Sequence, residues 1–222
     1  MSGRLIAIEG PDGAGRTSHA RTLCEYLDGR GMPCTFARLK GSTLMRAPLR
    51  ELQRKADIGE RALFLLYAAD LADVLQHTVL PALAEGRLVV LDRYVLTPRA
   101  RASLRGIDAG WAADVLSFAP PADLTAVLEA DARLRLSRLL QKRRFLQPRE
   151  AGTGSLHRKD LLDQALRYQR QLGRTFAEMA GAEGALEIDA SRESQVVQDE
   201  LRSAVLRLTV GRAPSRADGG IR

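Results

Sequence analysis

Residues 4–18 read Arg-Leu-Ile-Ala-Ile-Glu-Gly-Pro-Asp-Gly-Ala-Gly-Arg-Thr-Ser, and they decide the fold. The short apolar run at residues 5–8, bounded by turn residues, is typical of a buried parallel strand. A glycine-rich turn follows, in which four residues separate Gly10 from Gly15. A helix is predicted over residues 17–30, where glycines end it. Strand, glycine-rich turn and helix in this order indicate a phosphate-binding loop.

This loop offers positive potential from its backbone. Glycines let the chain curl so that its N–H groups point inward, and the helix N-terminus adds partial positive charge, so a phosphate fits there. Thr17 lies where a hydroxyl would hold Mg²⁺. A glycine-rich turn without a ligand is the alternative interpretation. The candidate phosphate-binding residues are Gly10, Gly13, Ala14, Gly15, Arg16, Thr17 and Ser18.

Arg16 departs from the usual pattern of such loops, which carry lysine at this position. Arginine keeps the positive charge, but its planar fork sits on a longer stem, so the two side chains are not interchangeable at a fitted site. We expect Arg16 to reach the phosphates with altered geometry. Both fast and slow phosphate chemistry stay open at this point.

The composition is that of one water-soluble domain. The chain has 222 residues, of which 45% are apolar and 27% charged. No apolar run approaches the roughly 20 residues of a membrane helix, so we expect no membrane partner. The first residues run straight into the first strand, which predicts no signal peptide and a cytoplasmic location.

Cysteine and histidine usage favours no metal cluster. Cys24 and Cys34 have no metal-like spacing, and we expect both to be buried thiols in a reducing compartment. The three histidines, His19, His77 and His157, occur in unrelated sequence contexts.

The net charge of +7 indicates affinity for anions. Nucleic acid and small polyphosphates are both candidates. Aromatic residues make up only 5% of the chain, fewer than stacking platforms for single-stranded bases would need. Small phosphates are therefore favoured as partners over nucleic acid.

Apolar strands alternate with helices along the chain. The predicted strands are residues 5–8, 33–39, 88–91, 123–129 and 185–189, and the predicted helices are residues 17–30, 44–55, 59–85, a short one after 110 that ends at 118, 131–144, 159–180 and 193–209. We expect mostly loop at 98–110, a mobile loop at 145–156 and a disordered tail at 211–222. The alternation predicts an α/β fold with a five-stranded parallel sheet and helices on both faces, in a single domain over residues 1–210.

Ligands of open α/β sheets bind beyond the carboxyl ends of the strands. The most apolar predicted strand, residues 88–91, delivers Asp92 and Arg93 at that end. We therefore expect both side chains in the site, although a salt bridge at the strand end is the alternative interpretation.

Four stretches, in this order, resemble the thymidylate kinases, a family of nucleoside-monophosphate kinases. They are Glu9-Gly10-Pro11-Asp12-Gly13-Ala14-Gly15, Leu65-Leu66-Tyr67-Ala68-Ala69-Asp70, Asp92-Arg93-Tyr94 and Ile188-Asp189-Ala190. The resemblance covers residues 3–209. It implies a P-loop NTPase fold, ATP and Mg²⁺ as cofactors, transfer of the ATP γ-phosphoryl group to dTMP, and a homodimer formed through the helix at 59–85.

The resemblance also implies roles for individual residues. Asp12 would lie between the two nucleotides, and Asp92 and Arg93 would lie beside the metal and the transferred group. Arg38 would touch the acceptor phosphate, and Tyr67 would stack on the base. Arg143, Arg144 and Arg149 would be lid arginines, in a lid over residues 143–157. The candidate catalytic residues are Asp12, Arg16, Asp92, Arg93, Arg144 and Arg149, and the candidate metal ligands are Thr17 and Asp92.

The chain departs from the family pattern at several contacts. Residues 39–43 lack the acidic residue and the proline that usually follow Arg38, and Leu71 stands where the family has a base-reading arginine. Arg101 and Ala102 replace a Tyr-Gln pair near the base and sugar, and Arg101 joins the candidate acceptor-binding residues. Because hydrogen bonds to a base discriminate strongly, their loss should relax or redirect specificity.

These departures leave three functions open: a thymidylate kinase, a kinase for another or a modified nucleotide, and a nucleotide-binding homologue with little turnover. Structural roles are also open for several candidates. Tyr67 fits the core, Arg38 fits an exposed surface, and the arginines of 133–149 fit a solvated helix face. Asp189 is interpreted as a turn residue at a strand end rather than a ligand.

Overall fold

The computed structural model describes residues 3–45, 47, 58–146, 152 and 161–210. Its five strands are β1 (Arg4–Glu9), β2 (Cys34–Arg38), β3 (Leu88–Asp92), β4 (Leu124–Glu129) and β5 (Leu186–Asp189). All neighbouring strands run parallel, in the order β2-β3-β1-β4-β5. The predicted five-stranded parallel sheet is therefore confirmed, with β1 at its centre.

Helices connect the strands. Those described are α1 (Arg16–Gly29), α2 (Glu60–Val74), a π-helical turn (Leu75–Val79), α3 (Leu80–Ala84), α4 (Leu96–Ser103), α5 (Ala109–Val115), α6 (Ala132–Arg143), α7 (Leu161–Glu183) and α8 (Ser194–Val210). Most of the predicted helix at 44–55, most of the predicted lid at 143–157, and the predicted tail at 211–222 lie outside the described residues.

Both faces of the sheet are covered, because alternate residues of a strand point to opposite sides. Leu5 and Ala7 of β1 pack in the core with α2, whereas Ile6 and Ile8 pack with α1 and α8 on the other face. All four residues are at most 1% exposed. Such a continuous apolar strand is what a sheet buried on both sides requires. Cys24 and Cys34 are both buried free thiols, as the sequence predicts, and they lie in the core that contains Ile6 and Ile8.

The carboxyl ends of the neighbouring strands β2, β3 and β1 meet at one end of the sheet. Parallel pairing places Asp92 next to Ile8 on one side and next to Arg38 on the other. The backbone N–H of Arg93 donates to the Ile8 carbonyl at 3.0 Å. Residues that follow β1, β2 and β3 therefore share a single edge, where ligands of α/β sheets bind.

The prediction of mostly loop at 98–110 is wrong, because α4 spans Leu96–Ser103 and α5 begins at Ala109. Pro98 lies in the first turn of α4, where a missing N–H is tolerated. The start of α4 is set by a contact distant in sequence, since the Glu9 carboxylate accepts hydrogen bonds from the backbone N–H groups of Leu96 and Thr97. No local pattern announces such a start.

The long helix predicted at 59–85 is confirmed in its extent, although a π-helical turn divides it. Pro81 follows this turn and has no N–H for the regular helical pattern. Among the described helices, the combined span Glu60–Ala84 is long and apolar enough to cross a membrane, with a mean hydropathy of 1.3. Its inward side chains pack in the core against the sheet, and this packing accounts for its apolar character; no membrane protein is indicated.

Because of Glu129, at the end of β4, the free energy of unfolding is expected to fall as the pH rises. Burial raises the pKa of Glu129 to about 7 from 4.5, despite the nearby Arg135 guanidinium. The folded protein then binds more protons than the unfolded chain between pH 4.5 and 7, so the free energy of unfolding should fall by about 3 kcal/mol across that range. Urea unfolding of Glu129→Gln should lack this fall, and an unchanged pH profile would contradict it.

Candidate active site

The phosphate loop follows the central strand β1 and leads into α1. Its glycines Gly10, Gly13 and Gly15 have φ angles of 127°, 84° and 91°, where side chains are disfavoured. A Cβ on Gly10 would lie 2.2 Å from the Leu128 carbonyl oxygen, and one on Gly13 would lie 2.5 Å from that of Arg135. The loop therefore has the tight, glycine-dependent curl that phosphate binding uses.

Asp12 lies at the centre of a cluster of arginines. Its Oδ1 accepts hydrogen bonds from Nη2 of Arg93 and, at 3.3 Å, from Nη2 of Arg16, and its Oδ2 accepts one from Nη2 of Arg101. Burial opposes ionisation of Asp12, but Arg101, Arg93 and Arg16 together outweigh burial and hold its pKa well below the ordinary 3.8. Asp12 is thus a carboxylate that draws three guanidinium groups to the edge of the phosphate loop.

The Arg16 side chain lies between two carboxylates. It is 6% exposed, and its Nε lies 3.7 Å from Oδ1 of Asp92 while its other end reaches Asp12. Burial and the neighbouring Arg93 lower the pKa of Arg16 to about 10, so the group stays protonated at neutral pH. Its Nε has no hydrogen-bond partner within the described part of the chain. A guanidinium with unused donor capacity beside the loop suits a phosphate oxygen.

Thr17 and Asp92 form a pair of hard oxygen ligands. Oγ1 of Thr17 donates to Oδ2 of Asp92 at 2.5 Å, and Oδ1 of the buried Asp92 lacks a hydrogen-bond partner among the described residues. Within the same residues, no three His, Cys, Asp or Glu side chains converge to hold a metal. Mg²⁺ commonly takes one or two protein oxygens and completes its shell with water and phosphate oxygens, so this pair fits it.

Glu9 anchors the segment that follows Asp92 and Arg93. The carboxylate is fully buried, and its Oε1 accepts from the N–H groups of Tyr94, Leu96 and Thr97 at 2.8, 2.9 and 3.2 Å. Its Oε2 accepts from the Thr97 hydroxyl at 2.5 Å. Burial raises the pKa of Glu9. This role of Glu9 was not predicted from the sequence, although a charged residue at the end of an otherwise apolar strand was an available signal.

A groove between α2 and α4 opens beside Arg101. Residues three and four positions apart on one face of each helix form its walls. The lining residues are Glu60, Leu63, Phe64 and Tyr67 of α2, Pro98, Arg101 and Ala102 of α4, and Arg105 and Ile107 beyond the end of α4. An ion pair between Arg105 and Glu60 joins the two walls. Tyr67 is 9% exposed, so it both belongs to the core and lines the groove.

Asp70 fixes the loop after β2. Its buried carboxylate accepts from the backbone N–H of Lys40, which has a left-handed φ of 67°. Burial raises the pKa of Asp70. The Lys40 ammonium in turn lies 4.9 Å from the centre of the Tyr67 ring. Leu71, at the position of the family's base-reading arginine, is fully buried in the core.

Other predicted residues are spread more widely. Arg38 is exposed at the end of β2, next to Asp92 in the strand register. Ser18 is exposed and Ala14 buried in the phosphate loop region. Arg144 is exposed, with a left-handed φ of 61°, just past α6. Arg149 lies outside the described residues. Asp189 accepts from the backbone and hydroxyl of Ser191, as expected of a turn residue.

A phosphate loop at the end of the central strand, a carboxylate with three arginines, and a groove beside them define a P-loop phosphotransferase of the nucleoside-monophosphate kinase class. The sequence profile described as "Thymidylate kinase" matches residues 8–201, and the chain belongs to this family.

Curated relatives are similar over most of their length. The "Probable thymidylate kinase 2" of Saccharolobus solfataricus is 30% identical over 203 residues, which cover 91% of this chain and 95% of the relative. The "Thymidylate kinase" of Cutibacterium acnes is 30% identical over 92% of this chain and 97% of the relative. The "Thymidylate kinase" of Leifsonia xyli is 33% identical over 90% of this chain and 93% of the relative.

Proposed function

We propose that this protein transfers the γ-phosphoryl group of ATP to dTMP, giving dTDP, with the help of Mg²⁺. The observation that carries the proposal is the position of Asp12, which holds Arg16, Arg93 and Arg101 between the phosphate loop and the groove. Phosphoryl transfer needs positioning and charge stabilisation more than covalent chemistry, and this cluster offers both. The relatives' names favour dTMP as the acceptor.

The donor side of the site comprises the phosphate loop. Backbone N–H groups of residues 10–18 and the N-terminus of α1 would bind the ATP phosphates, with Arg16 in place of the usual lysine. Thr17 and Asp92 would hold Mg²⁺, which would supply positive charge to neutralise the phosphate oxygens. The short contact between Thr17 and Asp92 supports this assignment.

The acceptor side of the site comprises the groove and the adjoining strand ends. Arg101 lines the groove and contacts Asp12, Arg93 contacts Asp12 from the end of β3, and Arg38 ends the neighbouring strand. These arginines would bind the acceptor phosphate, and Tyr67 would contact the base from the wall of the groove.

The remaining parts of the proposal concern the whole molecule. Residues 1–210 would form one catalytic domain in the cytoplasm, and a lid over residues 143–157 would bring Arg144 and Arg149 to the phosphates and exclude water. A homodimer would form through the long helix Glu60–Ala84, whose Leu65 and Leu80 are exposed. Sedimentation equilibrium should give about twice the mass of one chain, and the mass of a single chain would contradict the dimer.

A second candidate function is phosphorylation of another nucleoside monophosphate. The observation that favours it is the burial of Leu71 together with Arg101 in the groove, because a base-reading arginine is absent at the first position and a charge is present at the second. A site that lacks hydrogen bonds to one base discriminates less against others.

Purified protein with ATP, Mg²⁺ and a panel of monophosphates distinguishes these functions. We expect ADP release that requires dTMP, with dTDP as the product. Faster release with another monophosphate would favour the second candidate. Binding of ATP without ADP release with any acceptor would contradict both kinase functions and leave a nucleotide-binding protein.

Arg16→Lys is expected to lower kcat by about tenfold rather than raise it. The Arg16 fork lies between Asp12 and Asp92, and a single ammonium on a shorter stem cannot contact both carboxylates as the fork does. Steady-state kinetics with saturating ATP measures the change. A gain in kcat would contradict the fitted role of arginine and identify it as a handicap in this loop.

A further inference from the structure

Glu9 accepts hydrogen bonds from residues 94–97, which lie between Arg93 and Arg101 in the segment after β3. Its carboxylate lies at the end of the central strand, fully buried, with hydrogen bonds to Tyr94, Leu96 and Thr97. The three N–H donors and one hydroxyl all belong to four consecutive residues. A buried carboxylate is costly unless it is hydrogen-bonded, and here every described hydrogen bond of its two oxygens goes to this segment.

The segment held by Glu9 is flanked by two residues of the Asp12 cluster. Arg93 comes immediately before Tyr94 and has a left-handed φ of 71°, a conformation that a non-glycine residue keeps only when its surroundings impose it. Arg101 follows Thr97 by four residues on α4, which places it one turn further along the same face. Holding residues 94–97 in place therefore also holds the backbone positions from which the Arg93 and Arg101 side chains extend.

Charge also explains why a carboxylate suits this position. The N–H groups of Leu96 and Thr97 belong to the first turn of α4, whose donors have no partner within the helix. The helix described there has no side-chain cap of its own. A negative group at a helix N-terminus is favourable, and Glu9 supplies it from β1.

We propose that Glu9 is a positioning residue for phosphoryl transfer: its carboxylate holds residues 94–97 so that Arg93 and Arg101 converge on Asp12. The inference rests on the proposed function, because Asp12 and the two arginines are assigned to the reaction there. Glu9 is fully buried and hydrogen-bonded to residues 94–97, so its effect is transmitted through the two arginines.

Two substitutions of Glu9 separate positioning from simple loss of an acidic group. Glu9→Ala removes all four hydrogen bonds and should lower kcat by about 100-fold, because small displacements of catalytic groups have effects of that size. Glu9→Gln keeps an oxygen for the three N–H donors and should lower kcat by less than about tenfold. The Kd of ATP should change by less than about threefold in both variants. Equal kcat losses in the two variants would overturn the proposal.

A double-variant cycle tests whether Glu9 acts through Arg101. Arg101→Ala should lower kcat/KM strongly in the wild-type background and by less than about threefold in the Glu9→Ala background. In the second background Arg101 is already displaced and contributes little to the rate, so its removal has a small effect. A residue that only stabilises the fold would leave the effect of Arg101→Ala unchanged. That outcome would overturn the proposal.

Thr97→Val provides a milder variant if Glu9→Ala does not fold. It removes only the hydroxyl bond to Oε2 and should lower kcat by about threefold to tenfold. The matched control is Thr175→Val, at a buried threonine of α7 whose hydroxyl donates to the Gln171 carbonyl at 3.1 Å. If both threonine variants retain wild-type kcat, the proposal is overturned.

Hydrogen exchange decides the question independently of turnover. In Glu9→Gln or Thr97→Val, amides of residues 94–97 should exchange several-fold faster than in the wild type, while those of β3 and α7 stay unchanged. If the wild-type protein releases no ADP with dTMP, the proposed function fails, and this measurement still tests the anchoring. Unchanged exchange at 94–97, or an equal increase throughout the sheet, would overturn the role of Glu9.

Discussion

Replacing Arg93 by alanine is expected to lower kcat/KM by about 1,000-fold. Arg93 donates to Oδ1 of Asp12 and begins from a strand end beside the phosphate loop, so its guanidinium is placed to neutralise charge on the transferred group. Arginines that stabilise the transition state of phosphoryl transfer contribute about 10³-fold or more. Initial rates over a range of dTMP concentrations at saturating ATP and Mg²⁺ measure the loss.

Arg99→Ala is the matched control for this substitution. Arg99 lies on α4, close to Arg93 in sequence, but its side chain pairs with Glu183 on α7 away from the Asp12 cluster. We expect kcat/KM within about twofold of wild type, because partly exposed ion pairs contribute little. A loss for Arg93→Ala no larger than the loss for Arg99→Ala would exclude Arg93 from the reaction.

Asp92→Asn is expected to lower kcat by about 100-fold to 1,000-fold and to raise the Mg²⁺ concentration needed for half-maximal rate. Asparagine keeps the shape of the side chain and one oxygen, but it lacks the negative charge that a hard cation requires. The Oδ1 atom of Asp92 has no hydrogen-bond partner in the described chain, and Oδ2 receives the Thr17 hydroxyl. Rates measured as Mg²⁺ is titrated at fixed ATP give both quantities.

The control for Asp92→Asn removes a carboxylate at the amino ends of the strands, opposite the candidate site. Asp123 precedes β4, accepts from the backbone N–H of Leu5 at 2.8 Å and pairs with Arg4. Asp123→Asn should destabilise the fold slightly without altering the Mg²⁺ titration. If Asp92→Asn shows the same Mg²⁺ requirement as the wild type, Asp92 is not a metal ligand.

The sequence was most informative where structure depends on neighbours along the chain. The phosphate loop is recognisable from Gly10, Gly13 and Gly15, whose positive φ angles disfavour any other residue. At Gly10 and Gly13, close backbone contacts also leave no space for a Cβ. The five strands were predictable too, because a sheet buried on both faces demands unbroken apolar runs. These features need no knowledge of distant contacts.

Other features depend on residues far apart in the chain, and these were missed. Helix α4 begins where Glu9, almost ninety residues earlier, accepts its first N–H groups, so residues 98–110 looked like loop. Arg101 was identified only through its place in a family pattern, yet its contact with Asp12 makes it part of the cluster. The groove residues Glu60 and Arg105 carry no local signal, because only the packing of α2 on α4 brings them together.

The balance of charge around Asp12 limits which substitutions this sequence can accept during evolution. Three carboxyl groups, on Glu9, Asp12 and Asp92, face three guanidinium groups, on Arg16, Arg93 and Arg101. Losing any single member strands an opposite charge in a nearly dry environment, which costs several kcal/mol. Replacements among the six are therefore expected to accumulate in pairs, so that a neutral side chain at position 101 is inherited together with a neutral side chain at one of the three carboxyl positions.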